Sequence, residues 1–171
     1  DGKGLNLSLR NISLSTCGVV PRIYDLMERH LQLTLSVSLH APNNEMRSKT
    51  MPINKKYPIE ELLKACREYT RRISFEYAMI KDVNDSDACA YELASLLKGM
   101  LCHVNLIPAN EIVESSHKRS TNERLESFIK ILNSRGINAT VRRSLGSDID
   151  ASCGQLRSRH NREISEKEGN K

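Results

Sequence analysis

The sequence has no tryptophan, only two phenylalanines and five scattered tyrosines, so it offers no aromatic platform on which a single-strand binder would stack bases. It has no apolar run near the roughly 18 to 20 residues that cross a bilayer, and the opening stretch, Asp1 to Arg10, has no apolar segment of the signal-peptide kind. The expectation is a cytoplasmic protein with no membrane partner. Its five cysteines, Cys17, Cys66, Cys89, Cys102 and Cys153, form no CxxC pair and no other metal-ligand spacing, so no metal ligand is assigned. An odd number also fits a disulfide framework poorly, and they read as reduced thiols. The GxSxG elbow, the HExxH helix, the Walker A loop and the GxGxxG turn are all missing, which disfavours the standard hydrolase, metalloprotease, nucleotide-hydrolysing and dinucleotide-binding classes.

What is present is the composition of one globular domain: 171 residues, 39% hydrophobic and 27% charged, with eight glycines and five prolines. That length supports one hydrophobic core and is short for two. The net charge of +5 is compatible with a polyanionic partner without demanding one.

Five β-type segments alternate with four helical ones. The strands are read at Asn11 to Thr16, Leu33 to Leu39, Ile73 to Ile80, His103 to Ile107 and Ala139 to Arg143, rich in β-branched and alternating residues. A first helix opens at Pro21, with Ile23, Leu26, Met27, His30 and Leu31 on one face, and a second at Pro58, with Ile59, Leu62, Leu63, Cys66 and Tyr69 at helical spacing. A third carries Leu93, Leu96 and Leu97 up to Gly99. The fourth starts at Ser120-Thr121-Asn122-Glu123, a capping-box pattern with Ser120 as the cap. Asn43 to Tyr57 reads as a polar, basic loop. Helices between consecutive strands force the strands to be parallel. The fold class expected is therefore α/β, a partial parallel (β/α) barrel of about five strands and four helices, open on one side, because a closed eight-fold barrel takes roughly 250 residues. Residues 1–156 form that unit, and 157–171 form a charged tail.

Ligands of parallel α/β folds sit at the carboxyl ends of the strands, and here those ends are polar: Ser15-Thr16, Ser38-Leu39-His40, Asn84-Asp85, Asn110, and Asp148 and Asp150 with Cys153. Two readings stand for each. Serine and asparagine at strand ends are ordinary turn and cap formers. His40 reads equally as a hydrogen-bonded turn histidine, and Glu76 as a paired barrel carboxylate or a base. Cys153 lies in a loop of small residues, where an inert thiol is the ordinary case, and the neighbouring aspartates raise its pKa unless a cation offsets them.

The blocks Ser15-Thr16-Cys17-Gly18-Val19-Val20-Pro21, Ser38-Leu39-His40-Ala41-Pro42-Asn43, Met51-Pro52-Ile53-Asn54-Lys55-Lys56-Tyr57, Phe75-Glu76-Tyr77, Val83-Asn84-Asp85, Asn105-Leu106-Ile107-Pro108 and Asp148-Ile149-Asp150-Ala151-Ser152-Cys153-Gly154-Gln155-Leu156, in this order, resemble the C-terminal portion of the RlmN family of radical-SAM dual-specificity RNA methyltransferases. The resemblance implies methylation of adenine C2 in 23S rRNA and tRNA through an S-methylcysteine intermediate, with S-adenosyl-L-methionine and a [4Fe-4S] cluster as cofactors. It implies Cys153 as the methyl-carrying residue, Ser152 standing where alanine is common. It implies cofactor contacts at Ser15, Ser38, Leu39, His40 and Asn110.

The family's CxxxCxxC cluster loop, its Gly-Glu motif, its second cysteine and its N-terminal RNA-binding domain have no counterpart in these residues. The resemblance thus implies that activity needs a missing N-terminal half and that this chain alone is inactive. Two alternatives are carried beside it: a C8-adenine methyltransferase of the related Cfr type, and a non-enzymatic RNA-binding remnant using Arg47, Lys49, Lys55, Lys56 and the basic tail.

Overall fold

In the computed structural model, which describes residues 4, 7–109 and 118–142, the alternation read from the sequence becomes one parallel sheet. Its strands are β1 (Ser13–Thr16), β2 (Thr34–Ser38), β3 (Ile73–Met79), β4 (Cys102–Pro108) and β5 (Asn138–Val141), and they lie side by side in chain order. Every neighbouring pair is parallel. This sequential order is the one a (β/α) barrel uses, so the expected class, α/β with five parallel strands, holds. The helices are α1 (Val20–Glu28), α2 (Asn44–Thr50), α3 (Ile59–Glu68), α4 (Asp87–Leu96) and α5 (Asn122–Ser134). None is long and apolar enough to cross a membrane, among the described residues.

Parallel sheets usually read as unbroken apolar runs because helices cover both faces. This one alternates. In β3, Ile73, Phe75, Tyr77 and Met79 are buried while Ser74, Glu76 and Ala78 are half-exposed; in β4, Cys102, Val104, Leu106 and Pro108 alternate with His103, Asn105 and Ile107 in the same way. The buried set joins Leu62 and Cys66 of α3, Leu93 of α4 and Phe128 and Leu132 of α5 in one apolar core. Tyr77 and Phe128 meet there with ring centroids 5.3 Å apart, a tilted contact that favours aromatic packing. The other face of the sheet is polar and uncovered by this core.

The structure corrects several sequence expectations. Among the described residues there are five α-helices, not four, because the stretch expected to be loop forms α2, followed by a 3-10 turn at Pro52–Lys55. Asn43 caps α2 by accepting from the Met46 amide at 2.9 Å. The cap of α5 is Thr121, which accepts from the Arg124 amide at 3.3 Å; Ser120 instead donates to Asp85 at 2.9 Å. His30 and Leu31 lie beyond α1, since the chain turns through a positive φ of 49° at His30. The first strand starts two residues late, after a 3-10 turn at Leu9–Asn11. The tail, the Cys153 loop, Arg143 and Asn110 lie outside the described residues.

Candidate cofactor site

The polar sheet face is built by strand register. Ser15 pairs with Ser36, Ser36 with Ser74, Ser38 with Glu76, and Glu76 with Asn105, and because side chains alternate along a strand, these residues share one face. Glu76 is the hub. Its Oε1 accepts from Ser36 Oγ at 2.7 Å and Ser74 Oγ at 3.0 Å, and its Oε2 accepts from Asn105 Nδ2 at 2.7 Å. Of the two readings open for Glu76, this is the paired barrel carboxylate: three neutral donors fix it in place.

At the carboxyl end of the same sheet, β2 runs out through Ser38 and Leu39 into His40, which takes a left-handed conformation, φ 58°. A residue with a Cβ rarely holds that conformation without support, and here the support is explicit. The backbone amides of Leu39 and His40 both donate to the Glu76 carbonyl, at 3.0 and 3.2 Å. The Asn84 side chain donates to the His40 carbonyl at 2.9 Å and to the Ala78 carbonyl at 2.7 Å, and accepts from the Ile80 amide at 2.8 Å. Tyr77 Oη donates to the Asn84 carbonyl at 2.8 Å. Thus Val83-Asn84-Asp85, read from the sequence as either a turn or a polar strand end, carries in Asn84 the clamp that joins the ends of β2 and β3.

The imidazole is fixed as well. Nδ1 of His40 accepts from the Ala78 amide at 3.0 Å; a nitrogen that accepts from N–H carries no proton, so the ring proton sits on Nε2. Desolvation by burial, reinforced by the positive charge of Arg47 and opposed by Glu76, holds the His40 pKa below its usual value. The ring is a neutral Nε2–H donor.

Arg47, the residue that sequence reasoning placed in an exposed basic loop, is fully buried at 0% exposure. Its position on α2 carries the guanidinium under the rim, where Nη2 donates to the carbonyls of Cys17 at 2.8 Å and Ser38 at 3.2 Å, Nε to that of Leu39 at 3.3 Å, and Nη1 to Asn54 Oδ1 at 2.9 Å. One side chain therefore ties the ends of β1 and β2 together. Gly18 makes room for it: with φ +100°, a Cβ there would stand 3.1 Å from Arg47 Nη2 and 3.1 Å from Leu62 Cδ2. Asn44 and Asn54 complete the support. Asn44 Oδ1 accepts from the Ile59 amide at 2.9 Å and from Asn54 Nδ2 at 3.1 Å, so the HAPNN and PIN blocks serve the scaffold. Arg47 is thereby removed from the surface cations available to an RNA partner; Lys49, Lys55 and Lys56 remain exposed.

Of the predicted cofactor contacts, Ser15, Ser38 and His40 come together at this rim. Ser15 is exposed, and Ser38 and His40 are half-buried. Leu39 is different: its side chain lies in the core at 0% exposure, and its amide and carbonyl are both hydrogen-bonded within the protein. Asn110 and Cys153 lie outside the described residues. Among the described residues no group of three His, Cys, Asp or Glu could hold a metal ion. Cys66, Cys89 and Cys102 are buried on three different elements, and Cys17 is exposed after β1, an arrangement that does not fit the ligand set of an iron–sulfur cluster.

No protein-family model matches the chain. It is 56% identical over 164 residues to the probable dual-specificity RNA methyltransferase RlmN of Caldanaerobacter subterraneus subsp. tengcongensis, covering 94% of this chain and 48% of the relative. It is 50% identical over 173 residues to the protein of the same description from Lachnospira eligens, covering 99% of this chain and 49% of the relative. The chain thus spans about half the length of the curated relatives it matches. Among solved structures, a radical SAM methyltransferase from Sphaerobacter thermophilus matches with a TM-score of 0.87 and 52% identity, over 91% of this chain and 47% of that one. A domain of a pyruvate-formate lyase-activating enzyme from Bacteroides vulgatus shares the fold, with a TM-score of 0.62 at 15% identity. In sequence and in fold, the chain is homologous to the RlmN-type radical SAM RNA methyltransferases, corresponding to about half of their length.

Proposed function

We propose that this chain supplies one wall of the S-adenosylmethionine site, and the methyl-carrying cysteine, of an enzyme that methylates C2 of adenine in 23S rRNA and tRNA. The observation that carries the reading is the rim itself: Ser38 and His40 stand at the carboxyl end of β2, above a polar sheet face that also bears Ser15, with the Leu39 and His40 amides and the Ser38, Leu39 and His40 carbonyls already hydrogen-bonded within the protein. Among the described residues, the side-chain donors of Ser15, Ser38 and His40 Nε2 face no protein partner, and the backbone beneath them is tied down, as preorganised sites require. His40 as a neutral donor also suits a cofactor that carries a sulfonium charge, because an imidazolium in the same place would repel it.

Ser15, Ser38 and the Nε2–H of His40 bind and orient the cofactor. Asn110 joins them, Leu39 contributes its place in the rim, and Cys153 is the methyl carrier. S-adenosylmethionine, when bound, supplies the methyl group and the adenosyl group needed for radical chemistry at an electron-poor carbon. The four described cysteines do not fit a [4Fe-4S] cluster, so its ligands are assigned to the part of the relatives that this chain does not match, and the chain alone is expected to be inactive.

The test is to produce this chain together with the unmatched half of the Caldanaerobacter relative and to map modification by peptide mass spectrometry. A single methyl group on Cys153 is expected. A complex that methylates RNA while Cys153 stays unmodified refutes the carrier assignment.

A further inference from the structure

The left-handed backbone at His40 is held on one side by the Leu39 and His40 amides, which donate to the Glu76 carbonyl, and on the other by Asn84, 3% exposed, whose carboxamide uses both of its donor hydrogens, on the His40 and Ala78 carbonyls, and its acceptor, on the Ile80 amide. The same Ala78 whose carbonyl receives Asn84 offers its amide to His40 Nδ1. Asn84 therefore holds both ends of the geometry that decides the tautomer: the backbone of His40 and the peptide that the ring leans on.

We propose that Asn84 is a positioning residue, which locks His40 in the left-handed conformation with Nδ1 occupied, so that the ring meets its ligand only as an Nε2–H donor. The inference rests on the reading of this rim as a cofactor site, and it specifies the chemistry of the ligand atom facing His40: a hydrogen-bond acceptor, such as a ribose oxygen, a purine ring nitrogen or a carboxylate. A donor at that point has no partner. The charged groups acting on the ring among the described residues are Arg47 from α2 and Glu76 from β3. They oppose one another, so the lock is set by hydrogen bonding and not by a single counter-charge.

Histidine-selective nitrogen NMR of the full chain, with His40 assigned by loss of its signals in His40→Gln, reads the tautomer directly. In the wild-type chain without ligand, a single Nε2–H tautomer is expected. An Nδ1–H tautomer, or an even mixture, overturns the proposal. In Asn84→Ala, with the fold checked by circular dichroism, the single-tautomer signature is expected to give way to exchange between both forms, and S-adenosylhomocysteine affinity to fall by about tenfold, one charge-neutral hydrogen bond misplaced. An alanine variant that keeps the wild-type tautomer overturns the proposal.

Should Asn84→Ala fail to fold, Asn84→Asp keeps the acceptor for Ile80 and loses both donations; it is expected to show the same loss of the single tautomer, and its retention overturns the lock. The tautomer is measured without ligand, so a locked wild-type ring that shows no response to S-adenosylhomocysteine refutes the cofactor reading, and an unlocked ring that does respond refutes the Asn84 role.

Discussion

Replacing Arg47 by methionine separates the structural account from the reading of this stretch as an exposed basic loop. The substitution keeps most of the apolar stem and removes the guanidinium, leaving the Cys17, Ser38 and Leu39 carbonyls and Asn54 Oδ1 without their donor. A buried acceptor left unsatisfied costs about 1–3 kcal/mol, so four of them set a gross loss of roughly 4–12 kcal/mol. Two effects reduce it. Carbonyls retain other partners or reach water at the rim, and the guanidinium, which burial pushes below its usual pKa, no longer has to be desolvated, a saving of several kcal/mol when no carboxylate compensates it.

The net expectation is a destabilisation of about 3 kcal/mol, which for a domain of this size lowers the melting temperature by roughly 6–12 °C. Arg47→Lys, with its charge kept and its fork lost, should fall between the two. Urea unfolding followed by circular dichroism measures this as a lower midpoint at unchanged slope. A methionine variant within about 0.5 kcal/mol of the parent, the range of ordinary surface substitutions, refutes the buried-tie account.

Gly18→Ala should destabilise by about 1–3 kcal/mol, because it adds a Cβ at φ +100° against Arg47 and Leu62 and holds alanine in a conformation that glycine alone adopts freely; a gain in the urea midpoint contradicts this. The pH dependence follows from His40 and His103, both held below the usual histidine pKa by desolvation first and by a nearby arginine second. The unfolded chain takes up these protons near pH 6.5 while the folded chain resists, so between the folded value and 6.5 the unfolded state binds more protons and stability rises with pH. Stability is then complete above 6.5 and falls as the pH is lowered. His40→Gln should flatten the slope below about pH 6.5, and an unchanged slope contradicts the burial of a neutral ring.

The strand and helix alternation was legible because most apolar runs are bounded by a Gly or Pro signal, and the third strand by the turn-rich stretch Asp82 to Asp87; parallel pairing followed from the intervening helices. The polar sheet face was also legible in principle: ISFEY and CHVNL alternate apolar and polar residues, a pattern that marks a strand with one covered face, and pairing the polar positions of β3 and β4 puts Glu76 beside Asn105. α2 escaped notice because its seven residues carry little apolar periodicity, and what makes it a helix is the Asn43 cap together with the ties of Arg47 to distant carbonyls. Such ties are tertiary, so the sequence showed a basic residue in a polar stretch and nothing of its burial. Asn84 is the same case: its type suits a turn, and only the adjacency of β2 and β3 reveals the clamp. The cap of α5 moved by one residue because Ser120 has a buried partner in Asp85, which local pattern cannot register. Ser15, Ser38, Leu39 and His40 lie at strand ends, where the fold argument put them, but strand position alone did not show that the Leu39 side chain points into the core.

The claim on which the rest depends is that the β1 and β2 ends form a cofactor-binding rim. Backbone amide shifts of the full chain, followed as S-adenosylmethionine is added, test it most directly. The account predicts changes centred on Ser15, Ser38, Leu39 and His40, with smaller ones at Ala78 and Asn84. Changes gathered instead on the outer groove between α3 and α4, lined by Leu63, Arg67 and Leu96, contradict it.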